Sequence, residues 1–326
     1  MKDKQVTIII PNYNGLHYLD GCLKSIFSIK NWEDNKITHV IIVDNGSTDG
    51  SVEYLKTYPE IDIIRLKENT GFSHAVNTGI KKATTEYVIL LNNDTAIVPG
   101  FVGKLIKVIE KDKLIFSAAA KMLVMGNPQI IDNAGDFYNV FGWAYARGKG
   151  KGALNYGNET AVFSACAGAA IYRRKIIEEL GYFDEAHFAY FEDVDIGYAA
   201  RLAGYKNRFC PTALVDHAGS ASSGSRYNKW KTGLASSNSI YLIYKNMPGL
   251  QIILNLPFLL TGFLIKLVFF SFKGLGFTYL AGLVKGLKLS FSAHARRRKI
   301  RFRWKNLKYY LVVQWELYLN VFRMFR

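Results

Sequence analysis

A chain of 326 residues, 49% of them hydrophobic, can bury a sizeable core, and that excludes a disordered chain. Its cysteines, Cys22, Cys166 and Cys210, are too few and too far apart for a disulfide framework or a zinc site, and they fit a reducing compartment. The net charge of +16 is lopsided: from Lys245 onward 15 Lys/Arg face the single acid Glu316, so an anionic partner is expected for the tail alone.

Met1 to Gln5 leads straight into Val6–Ile10, an apolar run too short and too strand-like for an export segment. Pro11-Asn12-Tyr13-Asn14-Gly15 follows, a loop of turn formers, and then Leu16, Leu19, Leu23 and Ile26 recur at helical spacing. Val40 to Val43 repeats the strand signal and runs into Asp44-Asn45-Gly46-Ser47-Thr48-Asp49-Gly50, with Val52 and Leu55 inward on the next helix. Ile61 to Leu66 leads to Glu68-Asn69-Thr70-Gly71-Phe72 and a helix through Ala75, Asn77, Gly79 and Ile80. Tyr87 to Leu91 then ends on Asn92-Asn93-Asp94-Thr95. The repeat of strand, polar loop and helix predicts an α/β fold with a mainly parallel sheet. Right-handed crossovers bring all four loops to one sheet edge.

Open α/β sheets bind ligands along that edge. It carries Asn12, Asp44, Asn69 and Asp94 but no Gly-x-Gly-x-x-Gly, which argues against a dinucleotide-binding dehydrogenase. A mononucleotide gripped by side chains and helix N-termini fits better. A carboxylate at Asp44 suits a base or ribose, and one at Asp94 a divalent metal on a nucleotide-sugar diphosphate. Both positions also suit plain turn or cap residues.

Gly100 to Lys111 predicts a helix and Phe116 to Val124 a strand. From Met125 to Ser164 glycines alternate with Phe137, Tyr138, Phe141, Trp143, Tyr145 and Tyr156, which are either aromatic platforms for a sugar or acceptor, or hairpin packing. Gly168-Ala169-Ala170 allows close backbone approach. Glu192, Asp193 and Asp195 crowd three carboxylates beside Tyr190 and Phe191, where burial raises their pKa values and suits a base. The same acids suit the first turn of a helix ended by Gly204. Arg201 is placed to pair with one of them. Leu214 to Asp216 runs into His217, which can complete a metal shell or meet a diphosphate.

In this order the motifs resemble family 2 inverting glycosyltransferases of the GT-A fold, a nucleotide-diphospho-sugar transferase fold. The likeness runs through Ile8–Asn14, Val43–Ser51, Glu68–Phe72, Leu90–Thr95, Gly181-Tyr182-Phe183-Asp184-Glu185 and Tyr190–Asp195, and ends near His217. Asn92-Asn93-Asp94 and the Glu192–Asp195 cluster are most similar to bacterial rhamnosyltransferases of cell-surface polysaccharide synthesis. The resemblance implies that Pro11, Asn12 and Asn14 line the nucleotide and that Asp44 contacts the base. It places Asn69, Gly71, Asn77 and Asn93 near the nucleotide and diphosphate. Asp94 matches the last Asp of the family's Asp-x-Asp motif, while Asn92 stands at its first position and offers oxygen without charge. The implied Mg2+ or Mn2+ therefore leans on Asp94, the substrate phosphates and His217. Asp193 matches the family's general base, with Glu192 beside it. The implied reaction moves a sugar from a dTDP-rhamnose-like or UDP-sugar donor to a hydroxyl of a lipid-linked or cell-surface glycan. Charging of a polyprenyl phosphate, and a catalytically silent nucleotide-sugar-binding scaffold, are the alternatives.

Residues 1–230 are expected to form the catalytic domain, with 1–98 the nucleotide-binding half and 99–230 the acceptor half. Residues 231–326 are expected to form a basic, helical, membrane-associating region. Leu250 to Phe272 holds Lys266 as its only charge and is long enough to span a bilayer. Basic residues recur through the tail, however, and the next apolar run, Gly274 to Val284, is too short. A hairpin in the cytoplasmic leaflet is expected, with Arg296-Arg297-Arg298-Lys299 on anionic headgroups and Trp304 and Trp315 at the interface. Packing on the core or dimerisation explains the same pattern. The expected place is the cytoplasmic face of the inner or plasma membrane, peripheral or monotopic, with no nucleic-acid partner.

Overall fold

The computed structural model describes residues 6–28, 37–219 and 227–325. Strands β1 (Val6–Asn12), β2 (Ile37–Asp44), β3 (Ile61–Arg65) and β4 (Tyr87–Leu91) alternate with helices α1 (Leu16–Phe27), α2 (Ser51–Leu55) and α3 (Phe72–Lys82). All four strands are parallel, with β1 between β2 and β4. The register sets Asn12 opposite Asp44 and Asp44 opposite Arg65, so the strands end level and their loops share one edge. Every residue of β4 is buried, as a continuous apolar run demands of a strand covered on both faces. Each such fully buried Ile or Leu contributes roughly 2 kcal/mol.

The remaining strands are β5 (Thr95–Ile97), β6 (Ile115–Val124), β7 (Asn127–Asn133), β8 (Asp136–Tyr138), β9 (Ala144–Ala146), β10 (Thr160–Val162), β11 (Ala169–Arg173) and β12 (Lys206–His217). Helices α4 (Phe101–Ile109), α5 (Arg174–Glu179) and α6 (Glu192–Leu202) intervene. The main sheet runs β10-β12-β6-β11-β4-β1-β2-β3, with β5 on β12, β7 on β6, and β8–β9 a separate hairpin. The mixed half arises because β11 is antiparallel to both β4 and β6. Pairing of β12 with β5 places His217 opposite Thr95, one residue past Asp94.

The glycine-rich stretch resolves largely into packing. Tyr138 is fully buried, and Trp143 Nε1 donates to the Gly262 carbonyl at 3.2 Å.

Five helices follow: α7 (Lys229–Asn246), α8 (Gly249–Phe272), α9 (Gly276–Ser290), α10 (Ala293–Arg298) and α11 (Leu307–Arg323). Among the described residues α8 is the one helix long and apolar enough to cross a membrane by length and composition. Much of its surface is uncovered, with Leu250 80% and Phe272 86% exposed. Its inner face carries Asn255, whose amide donates to Gln314 Oε1 on α11 at 3.0 Å and whose Oδ1 accepts from Gln314 Nε2 at 2.7 Å. Helix α9 lies against α7 along small residues: a Cβ on Gly286 would stand 2.2 Å from the Ser237 carbonyl. Arg201 does not pair with Glu192 or Asp193. It faces away along α6 and forms its ion pair with Glu316 on α11, a partner that only tertiary packing supplies.

Candidate active site

A cleft of about 1070 Å³ opens at the C-terminal ends of β1 and β4. Pro11, Asn12, Asn69, Gly71, Asn92, Asn93 and Asp94 line one side, and Glu192, Asp193 and His217 complete it. Asp44, Asn14 and Asn77 are not among its lining residues. The Asp44 carboxylate is fully buried, accepting from Asn12 Nδ2 at 3.1 Å and from Ser47 N at 3.1 Å. Asn12 Oδ1 in turn accepts from Asn93 Nδ2 at 2.7 Å, so Asp44 orients two cleft residues through a chain of hydrogen bonds. That chain passes so close to Gly15 that a Cβ there would lie 1.9 Å from Asn93 Nδ2. Asn14 Oδ1 accepts from Thr48 N at 2.8 Å and ties the first loop to the second. Asn77 donates to the Phe183 carbonyl and to Glu185 Oε1, each at 2.9 Å. Asn45, which the motif reading passed over, binds the third loop through Asn69 Oδ1 at 3.0 Å and Thr70 N at 2.9 Å.

At the floor, His217 Nε2 lies 3.3 Å from Asp94 Oδ1, and its Nδ1 is 2.7 Å from Asp132 Oδ2. Lys149 Nζ holds the other Asp132 oxygen at 2.7 Å. Burial works against charge on His217, but hydrogen bonds to Asp132 and Asp94 outweigh it and raise the imidazole to about 9. Burial likewise opposes ionisation of Asp132, yet His217 and Lys149 bring it down to about 2. Asp94 and Asn92 offer oxygens suited to a divalent cation, whereas His217, protonated at neutral pH, would ligate one only after losing its Nε2 proton. Asp94 supplies a carboxylate, Asn92 an amide oxygen, and Asp132 fixes His217 by one ring nitrogen while the other faces Asp94.

The opposite wall is a turn of unusual backbone. Phe188, Tyr190 and Phe191 all take the left-handed region, with φ of 59°, 67° and 72°. Asn238 on α7 restrains it: its Nδ2 donates to the carbonyls of His187, Ala189 and Tyr190 at 2.8, 2.9 and 2.8 Å. Gly71 meets the turn closely, since a Cβ there would stand 2.6 Å from the Phe188 carbonyl that Phe72 N already binds. Helix α6 starts directly after this turn and separates its three acids. Asp195 points back to Lys245, with which it forms an ion pair, and accepts from Asn246 Nδ2 at 2.6 Å. Asp193 stays at the cleft, its Oδ1 accepting from Val194 N at 2.7 Å. Burial pushes the Asp193 carboxyl up, against the backbone N–H groups of Val194 and Ala167. Burial and then the charge of Asp193 push Glu192 well above the usual range.

Asp193 also borders a second cavity of about 330 Å³, walled by Asp136, Tyr145, Tyr190, Tyr227, Lys231 and Phe270 among others. Tyr145 is thus the aromatic of the glycine-rich stretch that does reach the site, while Phe270 comes from α8. The motif Gly181–Glu185 has a different task from the cleft. Asp184 is buried, accepting from Tyr241 Oη at 2.8 Å, and lies 3.1 Å from Lys245 Nζ, 2.8 Å from His294 Nε2 and 3.1 Å from Arg298 Nε.

Residues 7–181, more than half of the chain, match the profile of Glycosyl transferase family 2. The chain belongs to this family. Over 110 residues it is 36% identical to Glycosyltransferase GlyA of Streptococcus pneumoniae serotype 4, covering 33% of this chain and 15% of that protein. Over 212 residues it is 24% identical to the poly-beta-1,6-N-acetyl-D-glucosamine synthase of Staphylococcus aureus, covering 64% of this chain and 48% of that protein. This transferase therefore spans less than half the length of either relative, and neither bears a rhamnosyltransferase name. Among solved structures, GalNAc-T7 with UDP, GalNAc and Mn2+ superposes at a TM-score of 0.58 and 16% identity, over 73% of this chain and 47% of that one. The mannosyltransferase PcManGT from Pyrobaculum calidifontis, in complex with GDP-Man and Mn2+, gives 0.54 and 17% over 95% and 85%. These likenesses identify the fold as that of GT-A glycosyltransferases.

Proposed function

We propose that this transferase moves a sugar from a nucleoside-diphosphate donor, dTDP-rhamnose-like or UDP-linked, to a hydroxyl of a lipid-linked or cell-surface glycan, with inversion. One observation carries the reading: a single cleft at the strand ends sets Asp94 and His217 on its floor and Asp193 on its far wall. Asn12, Asn69, Gly71 and Asn93 hold the nucleotide side, with Asp44, Asn14 and Asn77 supporting their loops. Asp94, Asn92 and His217 would hold a divalent ion, Mg2+ or Mn2+, which when bound offsets the charge growing on the leaving diphosphate. Lys229 and Lys231 at the rim add positive charge. The acceptor enters through the second cavity, and Asp193 removes the proton of its hydroxyl. Glu192, buried behind it, stays neutral and excludes water from the base.

We infer that the tail holds this chemistry at a membrane surface. The exposed apolar side chains of α8 and the exposed Arg296 and Arg297 of α10 suit a helical region, 231–326, lying on an anionic bilayer at the cytoplasmic face, whereas Arg298, expected on the headgroups, turns inward to Asp184. Phe270 links that helix to the acceptor cavity.

A panel of nucleotide-sugars scored by thermal shift with Mn2+, Mg2+ or EDTA identifies the donor, since a ligand that binds the folded state raises the melting temperature. With that donor, Asp193→Asn should lower transfer by roughly 100- to 10,000-fold, with the donor-induced shift retained. Near-normal turnover by this variant sinks the base assignment.

A further inference from the structure

Asp136 lies on β8, outside every motif that carries the family likeness, yet its carboxylate stands against the base. One oxygen of Asp136, one of Asp193 and the Sγ of Cys166 lie within 4.8 Å of one another. Asp136 is only 8% exposed, and its Oδ2 is buried without a hydrogen-bond partner. Its Oδ1 accepts from Asn133 Nδ2 at 2.8 Å, and Asn133 Oδ1 accepts from Gly135 N at 2.6 Å, which fixes the carboxylate in one orientation. The strand is pinned as well: Asp136 N donates to the Ser164 carbonyl at 3.0 Å, and its own carbonyl accepts from Phe163 N at 3.0 Å. Gly197 of α6 packs over Ser164 at this point, where a Cβ would come within 2.4 Å. The spacing of β8 from the acid-bearing helix is therefore set by backbone contact and not by flexible side chains.

An orphaned buried carboxylate oxygen is expensive unless something fills its remaining valence. Two carboxylates this close, Asp136 buried and Asp193 half-buried at the cavity wall, repel one another and ionise together only at a cost. The other titratable groups facing the pair are Glu192 on α6, Cys166 and Tyr172 around β11, His187 in the turn before α6, Asp132 on β7 with Lys149 beyond it, and Tyr145, Tyr190, Tyr227 and Lys231 around the shared cavity. Lys149 is engaged by Asp132. Among the described residues no side chain is hydrogen-bonded to Asp136 Oδ2, and the carboxyl placed beside it is that of the base.

We infer that Asp136 is a positioning residue for Asp193: the two side chains hold one proton between them, and Asp136 donates it as a hydrogen bond to the base. This rests on the reading of Asp193 as the base. In that state the pair carries a single negative charge, Asp136 Oδ2 is satisfied, and Asp193 is held from two sides, by Val194 N and by Asp136. Burial and the nearby Asp193 charge, which push Asp136 well above the usual carboxylate range, agree with its keeping the proton. When the acceptor oxygen bonds to the anomeric carbon, its proton passes to Asp193. The bond from that carbon to the diphosphate oxygen breaks, and its electron pair leaves with the nucleoside diphosphate. Both carboxyls are then neutral, the state that burial favours, and one proton returns to solvent through the cavity that both residues line.

The test is a ¹³C NMR titration of the intact chain in detergent micelles, with aspartate Cγ labelled and the two resonances assigned from Asp136→Asn and Asp193→Asn. A shared proton makes both carbons follow the same two steps, split to either side of the ordinary aspartate range. In Asp136→Asn the Asp193 carbon should show one step lying between them, and the acid limb of the transfer rate should move to higher pH. Two carbons that each titrate once and independently, or an Asp193 curve unchanged in Asp136→Asn, overturn the inference. The wild-type titration decides the point by itself if the variant does not fold. It needs neither donor nor acceptor, so it stands apart from the transferase reading. A shared titration combined with unimpaired transfer by Asp193→Asn overturns the base assignment and the positioning role with it, and the spectrum distinguishes this from a pair that never formed.

Discussion

The two walls of the cleft are built on opposite plans. The nucleotide-side wall stands on strand ends: Asp44, Asn12 and Asn93 hydrogen-bond in series across neighbouring parallel strands, and the loops inherit the rigidity of the sheet. The base-side wall stands on a turn that three aromatic residues hold in left-handed backbone, a conformation costing roughly 1 kcal/mol or more at each. That turn is kept in place from α7, by the three hydrogen bonds of Asn238 and the ion pairs of Lys245 with Asp195 and Asp184. A ligand grip that must be ready before anything binds is thus set in the sheet. The group proposed to meet a reacting hydroxyl sits after a turn that a distant helix, α7, holds in place.

Breaking the support of the base-side wall should have the largest effect. Lys245→Met leaves the buried carboxylates of Asp184 and Asp195 short of a cation and should destabilise the fold by about 3–5 kcal/mol, read as a shifted urea midpoint. A variant as stable as wild type would show that α7 is dispensable to that wall. On the other side, Asp132→Asn removes the group that fixes His217 and should weaken divalent-ion affinity by roughly 10- to 100-fold, measured by calorimetry, with the fold intact. Asn238→Ala should cost about 1–3 kcal/mol and slow transfer while donor affinity holds. Equal loss of donor binding would blur the division between walls. The mildest test is acid. Burial opposes ionisation of Asp195, but the charge of Lys245 overrides it and lowers the carboxyl from 3.8 to about 2. The unfolded chain takes up that proton first, so the contribution is complete above the ordinary value and is lost as pH falls toward the folded one. The melting temperature should drop between about pH 4 and pH 2, and Lys245→Met should flatten that part of the curve.

Residues legible in the sequence were those whose signal is local. Asn92-Asn93-Asp94 follows an apolar strand and Glu192-Asp193 opens a helix, and the fold brings both segments to the lining of one cleft. Asp44, Asn14 and Asn77 lie outside that lining and tie loops together instead, a difference that turn preferences do not reveal, since both kinds of loop residue obey them. Asn238 and Lys245 were out of reach, since their partners lie about fifty residues earlier and a helical pattern does not say what its polar face meets. Asp132 and Asp136 did leave a trace: an acid set within Ile130-Ile131-Asp132, and another beside Phe137 and Tyr138, are poor choices for plain hairpin packing. Perturbed, buried acids of that kind mark sites.

The buried Asp184 carboxylate gathers Tyr241, Lys245, His294 and Arg298 from α7 and α10 around one point. Its carboxyl lies well below the usual range because the Lys245 and Arg298 charges outweigh burial. The helical region proposed to lie on a bilayer therefore also supplies, from α7 and α10, the counter-ions of Asp184. Trimming the chain at residue 230 to make it soluble would strand two anions inside the protein. The proposed attachment and the support of the Asp184 carboxylate thus rest on the same stretch of chain.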